Sequence, residues 1–275
     1  MNDALHQFPG KVRVWRLPLA TLAHDQTVDY VERLVCRGKP TFFITANLHY
    51  AMLTHRDARL REVNRRAALI VADGMPMVWY SRLLGQPLPE RVAGADLVYS
   101  LCARAAERGY RVFLLGGTAG VAVEAARRLC DMYPKLQIAG TAAPDLDQLS
   151  PGEHDRLIAD IRDCRPDLLF VAFGQPKGEL WLAEHCDVLG ATVGVQIGAS
   201  FDFVVGRTRR APVWMQRIGL EWLYRTWREP RRLLPRYVAN ARFILRMACR
   251  DAFAALLKRR PHRVAQALRS AEKQC

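Results

Sequence analysis

Six short apolar runs alternate with helix-length stretches over the first 200 residues, and that alternation restricts what the chain can fold into. The runs are 41–47 (TFFITAN), 68–73 (ALIVAD), 110–115 (YRVFLL), 136–141 (LQIAGT), 168–173 (LLFVAF) and 191–197 (ATVGVQI). They are close to continuously apolar, as strands must be when both faces of a sheet are covered. Helical spacing separates them at 49–64, 75–85, 95–108, 121–133 and 152–164. Strand–helix alternation predicts an α/β fold, a Rossmann-like parallel sheet with helices on both faces and right-handed crossovers.

Charge divides the chain. Residues 206–275 hold 18 Lys and Arg against four acids, and residues 1–205 hold 23 of each sign, so the whole formal charge of +14 sits in the last quarter. This predicts a neutral Rossmann-like body at 1–205 and an arginine-rich helical appendage at 206–275. The asymmetry points to an anionic partner: a membrane surface, a nucleic acid or a phosphorylated substrate. Seven scattered cysteines with no C-x-x-C pair argue against a disulfide framework and for a reducing cytoplasm. The opening MNDALHQFPGKVRVW has no apolar core, so no signal peptide is expected. The longest stretch without Asp, Glu, Lys, Arg or His, 188–201, has 14 residues and three glycines, too short to span a bilayer.

Within the appendage, helices are expected over 213–228 and from about 236 towards 259, with Pro230 and Pro235 as punctuation. Tyr237, Val238, Ala241, Ile244, Leu245, Ala248, Phe253 and Leu256 follow helical spacing, while Arg242, Arg246, Arg250 and Lys258 fall largely elsewhere. Such a basic amphipathic helix suits a membrane surface, or packing on its own domain or another subunit. Trp214, Trp222, Tyr224 and Trp227 beside arginines favour the membrane. Homo-oligomerisation stays open. A nucleic-acid partner is not expected, since no recognisable reading motif accompanies the basic tail.

Ligands of such sheets bind beyond the carboxyl ends of the strands, and several ends here carry polar or glycine signals. Thr45 and Asn47 close the first run, where hydroxyl and amide could hold a sugar or Asn47 could cap a helix. Asp73-Gly74 closes the second: a carboxylate at a strand tip could be a general base or a helix cap, and Gly74 permits close approach. Arg91 in RVAGAD could grip a phosphate or be solvated. Gly116-Gly117-Thr118-Ala119-Gly120 opens a helix and could present amides to a phosphate, or form a tight turn. It matches neither G-x-G-x-x-G nor the P-loop, so NAD binding has weak support and no cofactor is expected. Gly174 and Gln175 follow the fifth run, Gly198 and Asp202 the sixth. Asp145-Leu146-Asp147 spells a D-x-D, but turn and capping chemistry accounts for it, and no metal is expected. A Rossmann oxidoreductase or methyltransferase remains an alternative.

Together, TAN at 45–47, ADGMPMV at 72–78, ERVAGADL at 90–97, LLGGTAG at 114–120, FGQPKGELW at 173–181 and IGASFDF at 197–203 resemble the WecG/TagA/CpsF family of bacterial glycosyltransferases (family 26). The resemblance implies transfer of a hexose-type sugar from a UDP-sugar to a polyprenyl-diphosphate-linked sugar at the inner membrane face, in surface or exopolysaccharide biosynthesis. It further implies inversion at the anomeric carbon, no required metal, and peripheral membrane attachment through the appendage. Family positions fall on Asp73 as proposed base, with Thr45 and Arg91 in catalytic roles and Asn47 binding substrate. The strand-end groups Gly74, Gly116, Gly117, Gly174, Gln175, Gly198 and Asp202 are candidate substrate contacts. Arg228, Arg231, Arg232 and Arg236 are candidates to meet the leaving group. One departure stands out: the family often has G-x-P-x-Q-E, and Gly178 occupies the glutamine position, with Gln175 as a substitute.

Overall fold

The computed structural model describes residues 9–271, without the side chains of 217, 232, 252 and those past 253. Residues 1–8 of the opening segment inspected for a leader therefore lie outside the described residues, as do the Leu256 and Lys258 side chains.

The chain begins with an antiparallel hairpin, β1 (Lys11–Val14) and β2 (Leu17–Ala20), that the run pattern does not announce. Two-residue hairpin turns that need positive φ are normally signalled by Asn-Gly or Asp-Gly. Here Trp15 and Arg16 adopt φ of 45° and 69°. Packing holds this conformation: Trp15 is buried, and its ring centroid lies 4.6 Å from that of Tyr80.

There follow α1 (His24–Cys36), β3 (Thr41–Ala46), α2 (Leu48–Arg56), α3 (Ala58–Arg66), β4 (Leu69–Ala72), α4 (Met75–Leu83) and α5 (Gly94–Arg108). Next come β5 (Arg111–Gly116), α6 (Val121–Met132), β6 (Gln137–Ala142), α7 (Pro151–Cys164), β7 (Leu168–Ala172), α8 (Lys177–His185), β8 (Val193–Gln196) and α9 (Ser200–Val204). All six apolar runs are strands, and they form one parallel sheet in the order β4-β3-β8-β7-β5-β6. The helix expected over 49–64 is two, because Asp57 ends α2 and caps α3 by accepting the Arg59 amide at 2.8 Å. Helix α8 follows the fifth run, where the spacing announces no helix.

The strand order and the helix contacts obey one rule of hand. Crossovers that step towards β4 place α2, α3, α7 and α8 on one face; those that step towards β6 place α5 and α6 on the other. The second face carries the main core, where Phe43, Val112, Leu114, Phe170 and Val195 pack against Leu97, Leu101, Val121 and Leu129. Each such fully buried side chain contributes roughly 1.5–3 kcal/mol. Neighbours β5 and β7 send their chains off in opposite directions over opposite faces, which opens a crevice at their carboxyl ends.

The remaining helices are α10 (Val213–Arg217), α11 (Glu221–Arg228) and α12 (Pro230–Ala271). The single helix expected over 213–228 breaks at Gly219, and α12 starts at Pro230 and runs through Pro235, which therefore does not punctuate it. The chain forms two compact units that divide after Tyr224, so residues 206–224 pack with the neutral body although their charge belongs to the appendage. In the second unit Val238, Leu245 and Phe253 are exposed.

Gly116, at φ 101°, closes β5 where an added Cβ would lie 2.9 Å from the Ala172 backbone carbon, whereas Gly120 faces open space. Gly116→Ala is expected to cost about 3 kcal/mol and Gly120→Ala about 1 kcal/mol. Urea midpoints that fall equally for the two would contradict this account of the turn.

Candidate active site

Register carries the strand ends to one rim. Ala46 pairs with Ala72, Ile44 with Gln196, Gln196 with Val171, and Ala172 with Gly116. The residues that follow, Asn47, Asp73, Gly117, Gly174 and Gly198, thus emerge along the same edge.

Asp73 is built in by its neighbours. Its backbone N–H donates to the Ala46 carbonyl at 2.7 Å, and the Val92 N–H donates to the Ala72 carbonyl at 2.9 Å, which lays the 91–94 segment beside it. The Gly94 amide donates to the Asp73 carboxylate. Burial nevertheless pushes the Asp73 carboxyl up to about 6; Arg91 and the Gly94 amide act against this, and Glu221 and Asp96 reinforce it.

Arg91 is neither solvated nor open. Its guanidinium donates to Glu221 at 2.8 Å and to Asp96 at 3.5 Å. Arg210 pairs with Asp96 and approaches Glu221 at 3.9 Å. Three carboxylates and two guanidinium groups therefore share one end of the rim. Asp96 stood inside a quoted motif, but Arg210 and Glu221 carried no local signal, since Glu221 meets Arg91 across 130 residues. Gly219 positions α11: any Cβ there would lie 2.7 Å from Met75 and the Trp79 ring, so only glycine allows this approach to α4.

Other candidates are placed as follows. Asn47 caps α2 through its amide oxygen, which accepts the Tyr50 N–H at 3.1 Å. Thr45 is buried and its hydroxyl donates to the Gln196 carbonyl at 3.0 Å, so it ties β3 to β8 and keeps only its lone pairs for a ligand. Gly74 is the N-cap of α4. The Gly117 amide, expected to cradle phosphate, is spent on the Ala172 carbonyl at 3.1 Å. Thr118–Gly120 remain to open α6, and Arg207 donates to the Thr118 hydroxyl at 2.6 Å. Gly174 and Gln175 follow β7, and the Gln175 Oε1 is buried with no partner among the described residues. Asp202 lies in the first turn of α9. Arg228 and Arg231 are exposed and Arg236 half-buried in the second unit; the Arg232 side chain lies outside the described residues. Asp147 of the D-x-D pairs with Lys177 at 2.6 Å. Among the described residues no three His, Cys, Asp or Glu side chains are grouped to hold a metal ion.

A carboxyl raised from 3.8 to about 6 binds its proton more tightly folded than unfolded. Its favourable contribution is complete below the unfolded value and is lost as pH rises through the folded one. Asp73→Asn keeps an acceptor for the Gly94 amide and removes the half-buried charge. It is expected to stabilise the protein by on the order of 3 kcal/mol near pH 8 and by little near pH 4. Chemical denaturation at the two pH values reads this difference, and equal effects at both would remove the electrostatic account.

Comparison with known proteins places this geometry. The profile described as the glycosyl transferase WecG/TagA/CpsF family matches residues 12–257. A Bacillus spizizenii N-acetylglucosaminyldiphosphoundecaprenol N-acetyl-beta-D-mannosaminyltransferase is 34% identical over 208 residues, 74% of this chain and 79% of that protein. The Bacillus subtilis protein of the same name is 31% identical over 218 residues, 76% and 82% of the two chains. One from Staphylococcus aureus is 34% identical over 188 residues, 67% and 70%. These matches displace the oxidoreductase and methyltransferase alternatives, and the chain, a glycosyltransferase, belongs to the WecG/TagA/CpsF family.

Proposed function

We propose that the protein transfers a hexose-type sugar from a UDP-sugar to a polyprenyl-diphosphate-linked sugar, with inversion and without a metal, while bound peripherally to the inner face of the cell membrane. The observation that carries the reading is Asp73: a strand-end carboxyl pushed to about 6, beside Arg91, in a family whose relatives are named as acting on N-acetylglucosaminyldiphosphoundecaprenol. A base needs its pKa close to working pH, where it is ionised yet still accepts a proton.

In the proposed step the acceptor hydroxyl oxygen bonds to the anomeric carbon as its proton passes to Asp73. The bond from that carbon to the diphosphate oxygen breaks, and UDP leaves with the electron pair. A single displacement from the face opposite UDP inverts the centre. The leaving group needs preorganised positive charge. The N-terminus of α6 and Arg207, fixed on Thr118, supply it at the crevice between β5 and β7. Asn47 presents its amide N–H groups to a sugar, since its oxygen already caps α2.

Membrane attachment rests on the cationic last quarter of the chain and on the exposed Trp214, Trp222 and Trp227 beside arginines. Among the described residues no helix is long and apolar enough to cross a membrane. Each base near an anionic surface contributes roughly 1 kcal/mol, so even six of the 18 engaging would supply about 6 kcal/mol before apolar insertion.

Asp73→Asn is expected to cut turnover by roughly 10²-fold or more with UDP affinity nearly unchanged. Wild-type turnover in that variant would take Asp73 out of the role. In the wild type, turnover should fall as pH drops through about 6, and Glu221→Gln should move this acid limb lower, because the Glu221 charge helps raise Asp73. A limb that stays put, read from pH–rate profiles, would dissociate Glu221 from the base. In full-length protein, R228E, R231E and R246E together should weaken sedimentation with anionic vesicles by roughly a hundredfold or more. Unaltered binding would contradict attachment through this segment.

A further inference from the structure

Gln196, the last residue of β8, is 2% exposed, yet half of its side-chain amide has no partner. Its Oε1 accepts the Gly198 N–H at 2.6 Å, which fixes the amide orientation and leaves Nε2 as a buried donor with nothing to donate to among the described residues. Leaving such a group unpaired costs about 1–3 kcal/mol, and native structures rarely keep one without a use.

The side chain reaches its place because α8 makes room. A Cβ at Gly178 would lie 2.5 Å from Gln196 Cγ and 3.1 Å from Nε2. The space that any side chain at 178 would enter is therefore filled from the neighbouring strand. Three residues before Gly178, the Gln175 Oε1 is likewise buried and unpartnered. Orphan donor and orphan acceptor both belong to the carboxyl rim of the adjacent strands β7 and β8. Gln196 also borders the Asp73 site: its main-chain carbonyl holds the Thr45 hydroxyl, and the Thr45 Oγ1 lies 3.0 Å from where a Cβ on Gly94 would be, the residue whose amide binds Asp73.

We propose that Gln196 and Gln175 form a sugar-binding subsite of this rim, where one ring hydroxyl of a substrate accepts from Gln196 Nε2 and donates to Gln175 Oε1. A hydroxyl is the neutral group that satisfies a donor and an acceptor at once. This rests on the sugar-transfer reading above, and it makes Gln196 a substrate-binding residue in place of the side chain that Gly178 lacks. The hydroxyl belongs either to the donor sugar or to the lipid-linked acceptor sugar.

The test measures KM separately for the best UDP-sugar of a panel and for a short-chain polyprenyl-diphosphate N-acetylglucosamine. It compares wild type, Q196L, Q196M, Q196G and the double variant G178Q/Q196G. Leucine and methionine keep the space filled and remove the donor, so a folding failure of one leaves the other readable. Loss of a neutral hydrogen bond should raise KM for one substrate about tenfold with kcat little changed, and the substrate affected identifies the source of the hydroxyl. The double variant moves the amide from β8 to α8 and should recover most of what Q196G loses. KM values within about twofold of wild type for both substrates, or a double variant as weak as Q196G, would assign Gln196 to packing and overturn the subsite. Wild-type protein that transfers no sugar from any UDP-sugar would instead overturn the parent reading.

Discussion

Holding a carboxylate out of water costs free energy unless opposite charge and hydrogen bonds are arranged around it, and the rim of this sheet is organised around that requirement. Asp73 is placed by backbone hydrogen bonds that extend the β3–β4 ladder beyond its last paired residues. The Gly94 amide and Arg91 offset part of the burial, while Asp96 and Glu221 keep the offset incomplete. The result is an acid poised near neutral pH. Such a group is a poor contributor to stability and a good proton acceptor, and the two properties have one cause.

The cluster also links the body to the start of the basic segment. Arg210 and Glu221 lie where the sequence had already turned cationic, yet they pack with the neutral body and complete the surroundings of Arg91. The charge boundary at 206 and the packing boundary after Tyr224 are therefore different things. One marks where the excess of basic residues begins, and the other marks where the body's own contacts end. Residues 206–224 serve both: their charge adds to the cationic stretch, and their side chains fix the geometry beside Asp73.

Much of the fold was legible because burial on both sheet faces demands unbroken apolar runs, and each such run is a strand of the central sheet. The candidate rim was legible as far as strand ends go, since Asp73, Asn47 and the 116–120 turn follow directly from where runs stop. Side-chain commitments were not. The ends of the runs do not say that the Thr45 hydroxyl donates to the Gln196 carbonyl, or that the Asn47 oxygen caps α2 and leaves its N–H groups to spare. The Gly117 amide read as a phosphate donor until its bond to Ala172 is seen. The β1–β2 hairpin escaped because its turn uses Trp15 and Arg16, whose positive φ is enforced by burial against Tyr80 rather than by glycine chemistry.

What the sequence alone determined is the class of fold, the polar strand ends and the segregation of charge, because hydrophobic periodicity and net charge are properties of residues taken in order. Only the tertiary structure decided which groups meet. Arg91 with Glu221, and Gly178 with Gln196, are contacts between segments distant along the chain, and no local pattern encodes a pairing whose energy exists only after the sheet has brought both partners to one rim.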